Sequence, residues 1–302
     1  EPAWARPRHA GRSPGERRAD AEPDSVEICV VEGAFENYKG DIRPHLPKPA
    51  ANGNGKRVAL VGAGPASLTV ARDLAPHGYQ CVVFDGDPKA GGMMRTQIPK
   101  FRLPDRVIDE ECGYVLDLGV EFRAGTRVDS MASLLAEGYD AVFVGSGAPR
   151  GRDLDIPGRR EAAKRIHIGI DWLSSVSFGH TTSIGKRVVV LGGGNTAMDC
   201  CRSARRLGGE EVHVVVRSGF DEMKASPWEK EDAAHEGIPI HNFLVPKAFL
   251  HEHGILRGIT FDKVEARYDS KGRRELVPTG EPEVRVECDD VLLEREAQLA
   301  HQ

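Results

Sequence analysis

No Cys-x-x-Cys pair occurs among the six cysteines, Cys29, Cys81, Cys112, Cys200, Cys201 and Cys288. A redox-active dithiol and a local zinc or iron–sulfur site are therefore not expected, and no metal ligands are assigned. Cys81 and Cys288 lie in apolar strand-like stretches and read as small buried hydrophobes. Cys200 and Cys201 are adjacent on an expected helix, so their side chains point to different faces. No apolar run approaches the ~18 residues of a membrane span. Residues 1–23 lack the apolar core of a signal peptide. The net charge of −5 gives no general basis for nucleic-acid binding. The expected setting is the cytoplasm, without a membrane or nucleic-acid partner.

The chain has 302 residues, 40% of them hydrophobic and 29% charged. That is an ordinary globular composition and enough length for two medium domains. Residues 1–23 scatter five arginines among Pro, Gly and Ala without periodicity and read as a disordered tail. A basic arm for a nucleic acid or an acidic partner is the alternative. Residues 24–55 carry a short expected helix around Val31–Tyr38 and a Pro-rich linker, His45-Leu-Pro-Lys-Pro49. From Lys56 the order is strand, glycine turn, helix, strand: Arg57–Val61, Ser67–Leu74, Gln80–Phe84. Helices near Glu110–Leu118 and Met131–Glu137 and a strand Ala141–Gly145 follow. Residues 149–185 read as a connector with a short helix near Trp172. The order then repeats as strand Val188–Leu191, helix Thr196–Leu207 and strand Val212–Val216, followed by a polar helix Glu229–Glu236. From Ile240 short alternating strands, with turns at His253-Gly254, Ser270-Lys-Gly272 and Thr279-Gly280, predict an antiparallel meander. The tail after Leu293 is polar and lacks turn chemistry.

Two glycine fingerprints stand behind the two leading strands, Gly62-Ala-Gly64-Pro-Ala-Ser67 and Gly192-Gly-Gly194-Asn-Thr-Ala197, 130 positions apart. In such a loop the first glycine permits the tight strand-to-helix turn. The second lets backbone approach a pyrophosphate, and the third position needs a small residue for helix–strand packing. The phosphate charge is met by N–H groups at the helix N-terminus. Ser67 and Ala197 fill the packing position. The strand after the first loop ends in Asp85, 23 positions beyond Gly62, where a carboxylate accepts ribose hydroxyls. The strand after the second ends in Arg217, which suits a 2′-phosphate and favours NADP(H) over NAD(H). A solvated strand-end arginine is the plain alternative; Lys224 or Arg205 are further candidate charges. Two such loops a domain apart predict α/β architecture with two Rossmann-like domains, one for a flavin and one for a nicotinamide dinucleotide. They are expected over residues 56–158 and 159–293, with the antiparallel meander in the second and a short tail at 294–302.

The segment Gly62-Ala-Gly-Pro-Ala-Ser-Leu-Thr-Val-Ala-Arg-Asp-Leu-Ala75 resembles the small subunit of bacterial glutamate synthase and its relatives, FAD-dependent NAD(P)H oxidoreductases that exchange electrons with iron–sulfur clusters. Gly91-Gly-Met-Met94, Ile98-Pro-Lys-Phe-Arg-Leu-Pro104, Gly145-Ser-Gly-Ala148, Leu154-Asp-Ile-Pro-Gly158, Gly192-Gly-Gly-Asn-Thr-Ala-Met-Asp199 and Glu236-Gly237 extend the resemblance over about residues 24–293. The resemblance implies that Gly62, Gly64, Pro65, Ala66, Asp85, Gly92, Met93, Val128 and Gly147 line FAD. It implies that Gly194, Asn195, Thr196 and Arg217 line the nicotinamide dinucleotide, and that an iron–sulfur protein or large catalytic subunit is the partner. Two departures stand out. Residues 1–23 lack the family's cysteine-rich segment, and no Gly-Asp segment follows Leu293. They read as a chain shortened or frameshifted at both ends, with an incomplete FAD domain. The expected function is transfer of hydride from NADPH to FAD and of electrons onward, with no catalytic side chain assigned. The alternative is a non-catalytic dinucleotide-binding module or assembly subunit.

Overall fold

A computed structural model describes residues 43–148, 150–268 and 273–294. The expected tail over 1–23, the helix near Val31–Tyr38, the turn Ser270-Lys-Gly272 and residues 295–302 lie outside them. The chain divides into two compact units. One runs to Gly92 and from Lys100 to Gly145; the other takes Met93–Pro99 and everything from Ser146 on.

The first unit contains β1 (Arg57–Val61), α1 (Pro65–Leu74), β2 (Gln80–Phe84), α3 (Asp105–Leu116), β3 (Glu121–Arg123), α4 (Met131–Ala136) and β4 (Ala141–Val144); α2 (Met93–Thr96) is counted with the second unit. Its four strands are all parallel, in the order β3-β2-β1-β4. Val58–Val61 and Cys81–Phe84 are buried without interruption, as in strands covered on both faces. On one face Ala59, Val61, Val82 and Phe84 pack with Leu134 of α4 and Tyr139. The start of α4 is set by Ser130, whose hydroxyl accepts the Ser133 N–H. β3 was not legible as a strand, because three residues carry no periodicity.

The second unit contains β5 (Ile166–Ile168), α5 (Gly169–Ser177), β6 (Arg187–Leu191), α6 (Asn195–Arg206), β7 (Glu211–Val215), α7 (Pro227–His235) and β8 (Ile240–His241). Then come β9 (Leu244–Glu252), β10 (Ile255–Tyr268), β11 (Arg274–Pro278), β12 (Val284–Glu287) and β13 (Asp290–Leu293). A parallel sheet runs β5-β13-β6-β7-β8, and β9–β12 form an antiparallel sheet. Alternation along the parallel strands sorts the core. Val188, Val190, Val212, Val214 and Leu292 face α5, α6 and α7. Val189, Leu191, Val215, Val291 and Leu293 face Phe249, Leu256, Ile259 and Phe261 of the antiparallel strands.

The expected α/β architecture, with parallel sheets and antiparallel strands near the C-terminus, is borne out. Three details differ. Ile240–His241 is no part of the meander but pairs parallel with β7. Residues 146–158 go with the second unit, because Leu154 and Ile156 pack on its core and the Phe249 N–H donates to the Pro157 carbonyl. The run at 291–293 is an inner strand of the parallel sheet. Asp290 fixes its entry: buried, it accepts the Gly185 N–H at 2.8 Å and meets His167 at 3.0 Å and Arg165 at 3.4 Å. No helix among the described residues is long and apolar enough to cross a membrane.

Candidate functional site

In the first unit the chain leaves β1 at Gly62, whose φ of +95° is open to glycine and costly for other residues. Gly64 stands at the N-cap of α1 without a side-chain cap, and Pro65 opens the helix. Helix geometry leaves the amides of that first turn without partners inside the helix. The Gly91–Gly92 segment lies against the loop: the Gly91 N–H donates to the Ala63 carbonyl at 2.9 Å, and a Cβ on Gly92 would stand 2.7 Å from Gly64 Cα. Asp85 follows β2. Its carboxylate accepts the Ala63 N–H at 2.5 Å and the Asp87 N–H at 2.9 Å, which ties the acid to the loop itself. Burial, then the Asp85 charge, pushes the Asp87 carboxyl up from its ordinary value. Ser67 is fully buried against Gly145, and its hydroxyl has no partner among the described residues.

Gly62, Gly64, Pro65, Ala66, Ser67, Asp85 and Gly92 are thus brought together around one turn. Val128 is partly buried against the sheet core of this unit. Met93, 57% exposed at the start of α2, and Gly147, with φ +65°, are counted with the second unit.

The second loop repeats the local plan. Gly192 takes φ +149°, Gly194 is the uncapped N-cap of α6, and the Ala225 N–H donates to the Gly193 carbonyl at 2.9 Å. Asn195 is fastened by accepting the Ser226 N–H at 2.8 Å. Thr196 is half-buried and Ala197 fully buried against the helix-side core. Arg202 holds α6 to the following helix and turn, with Glu229 and Asp232 each at 3.1 Å and Glu236 at 2.9 Å. Burial pushes Glu236 up, but hydrogen bonds from Arg206 and Arg202 outweigh it and hold the carboxyl below its ordinary value. Arg217 is exposed just after β7, and among the described residues its guanidinium makes no ion pair. Arg205 sits at the far end of α6 from the loop, donating to the Gly209 and Glu210 carbonyls.

One residue at this loop was not foreseen. Glu294, read from the sequence as the first of a featureless tail, directs its carboxylate onto the glycine turn. The Gly194 N–H donates to it at 3.3 Å, and a Cβ on Gly194 would lie 2.8 Å from its other oxygen. Burial pushes this carboxyl above its ordinary value, against the pull of the Gly194 and Gly193 amides and the Lys224 charge. The bare glycine turn of the first unit fits a dinucleotide pyrophosphate. In the second unit a glycine turn and an uncapped helix start recur, with the Glu294 carboxylate on the turn.

The family profile of pyridine nucleotide-disulphide oxidoreductases matches residues 56–272. The NADPH-Fe(3+) oxidoreductase subunit beta of Geobacter sulfurreducens is 36% identical over 279 residues, covering 89% of this chain and 41% of that relative. The glutamate synthase [NADPH] small chain of Escherichia coli is 33% identical over 284 residues, covering 88% of this chain and 60% of that one. The chain therefore spans 41% and 60% of the lengths of these two relatives. Among solved structures, Mycobacterium tuberculosis FprA in complex with NADPH has a TM-score of 0.66 at 20% identity, over 80% of this chain and 71% of that one, a likeness of fold. The resemblance to glutamate synthase small subunits read from the motifs holds, and the chain belongs to the pyridine nucleotide-disulphide oxidoreductase family.

Proposed function

We propose that this chain is the dinucleotide-binding part of an NADPH-dependent flavoprotein oxidoreductase, in which FAD receives electrons from NADPH and an iron–sulfur protein or large catalytic subunit receives them next. The observation that carries the reading is the bare cradle of the first loop, where Gly92 lies so close to Gly64 that a Cβ on Gly92 would stand 2.7 Å from Gly64 Cα. Two relatives whose names include NADPH, one a beta subunit and one a small chain, support the choice of reductant and of a subunit role. When bound, the flavin and nicotinamide rings supply the electron-transfer chemistry.

The chain's own contribution is position and charge. In this reading Gly62, Gly64, Pro65, Ala66, Ser67 and Gly92 form the FAD pyrophosphate cradle, with Met93, Val128 and Gly147 as further FAD contacts. Asp85, whose carboxylate accepts two backbone amides, meets the ribose hydroxyls. Gly192, Gly194, Asn195, Thr196 and Ala197 form the second cradle, and Arg217 meets the 2′-phosphate of NADP(H). Each of the two units carries one dinucleotide, in a cytoplasmic protein. A second reading, a non-catalytic dinucleotide-binding module or assembly subunit, is favoured by one observation, the Glu294 carboxylate on the second loop.

Titration of the purified chain with FAD, followed by quenching of flavin fluorescence, tests the reading. Saturable one-to-one binding that Asp85→Ala weakens is expected. A folded chain that takes up no FAD overturns it.

A further inference from the structure

We propose that Glu294 is an internal anion seated on the phosphate-binding turn of the second unit, which an incoming dinucleotide must displace. The inference rests on reading that turn as the nicotinamide-dinucleotide site. It comes from comparing the two units with each other. In the first, β4 lies beside β1, and the residue after it, Gly145, donates its N–H to the Val61 carbonyl at 2.8 Å. In the second, β13 lies beside β6, and the residue after it, Glu294, donates its N–H to the Leu191 carbonyl at 2.8 Å. Gly145 and Glu294 are thus equivalent positions, each at the end of the strand that flanks a glycine turn. One carries no side chain and the other a carboxylate.

The backbone bond sets Glu294 beside the turn. A Cβ on Gly192 would lie 2.7 Å from the Glu294 carbonyl oxygen, so the Glu294 backbone comes close to the turn only because Gly192 has no side chain. Beyond it stands the N-terminus of α6, a twelve-residue helix whose first amides are uncapped by its own N-cap residue. Such amides favour any negative group, whether pyrophosphate or carboxylate. The Gly194 N–H already points at Glu294. A pyrophosphate needs the same amides and the same space, and two anions there would repel. Glu294 therefore sets the affinity of the second turn and competes with its ligand from within the chain.

The test compares the full chain with Glu294→Ala and Glu294→Gln, both checked for fold by circular dichroism, using calorimetry with NADPH and with inorganic pyrophosphate. Glu294→Ala removes bulk and charge; Glu294→Gln removes charge alone and serves if the first variant fails to fold. Both are expected to bind NADPH at least about tenfold more tightly than the unchanged chain, the equivalent of one lost charge-assisted contact. Hydrogen exchange at the amides of residues 193–195 gives a readout independent of turnover. It should speed up in Glu294→Ala and slow again when pyrophosphate is added. Equal NADPH affinity in all three chains overturns the inference and leaves the second turn as a dinucleotide site. Absence of NADPH binding in all three folded chains overturns both.

Discussion

Replacing Gly92 by alanine isolates the closest backbone approach in the first cradle. The new Cβ would meet Gly64 Cα at 2.7 Å and Gly64 N at 3.3 Å, both backbone atoms that cannot rotate away. Carbon atoms rest about 3.5–4.0 Å apart, so the two segments must separate by roughly 1 Å. The bond from Gly91 to the Ala63 carbonyl stretches with them. Gly92 also has φ +52°, a left-handed conformation that costs an alanine about 1–2 kcal/mol. Strain and crowding together should destabilise the first unit by about 3 kcal/mol, in the range of a disrupted special backbone site. Gly119 supplies the control. Its φ is +87°, yet nothing lies within 4 Å of its Cβ position, so Gly119→Ala carries the conformational cost alone. Urea unfolding of the two variants, followed by circular dichroism, should separate them by at least about 1 kcal/mol, and only Gly92→Ala should lose FAD affinity. Equal losses from the two substitutions would show that the approach of Gly92 to Gly64 is not the constraint described.

Further outcomes follow from the second unit. Arg217→Ala should weaken NADPH by about 1.5–3 kcal/mol and leave NADH nearly unchanged, since only one of them carries the 2′-phosphate; calorimetry with both nucleotides checks this, and equal losses refute it. Arg202→Ala leaves the fully buried Glu229 without its cation and should cost about 3–5 kcal/mol in thermal unfolding, because breaking one side of a buried pair exposes the other charge to low dielectric. His241 is held below its ordinary 6.5 by burial and by His213, whose ring nitrogen lies 3.0 Å away. A base with a depressed folded pKa takes its proton in the unfolded chain first, so stability should fall as pH drops through the ordinary histidine value. His241→Gln should flatten that fall, measured as unfolding free energy between about pH 7 and 5.

Both glycine turns, the strands ahead of them and the helices behind them were legible in the sequence, because short apolar runs end in glycine where the backbone must reverse. Asp85 was found by its distance from Gly62, and its bond to the Ala63 amide explains why that distance recurs: the acid has to reach back to the turn. What could not be read was pairing between distant segments. Val291–Leu293 is only three apolar residues, and nothing in it signals insertion between β5 and β6. That placement is decided by Asp290, which gathers Gly185, His167 and Arg165, and by Arg187, which binds Glu287 at 2.6 Å and Asp289 at 2.8 Å. The partners are all a hundred positions or more away. Glu294 escaped for the same reason: its role appears only once β13 is laid beside β6. Ile240–His241 was misplaced because two residues have no period, and its parallel bond to β7 is a tertiary choice.

In the proposed function one chain brings a flavin and NADPH to two glycine turns for electron transfer between them. Anaerobic addition of NADPH to the FAD-reconstituted chain, followed in the visible flavin band, tests it most directly. Bleaching by stoichiometric NADPH is predicted, faster in Glu294→Ala than in the unchanged chain. A flavin band that dithionite bleaches and NADPH leaves untouched in both chains would contradict it.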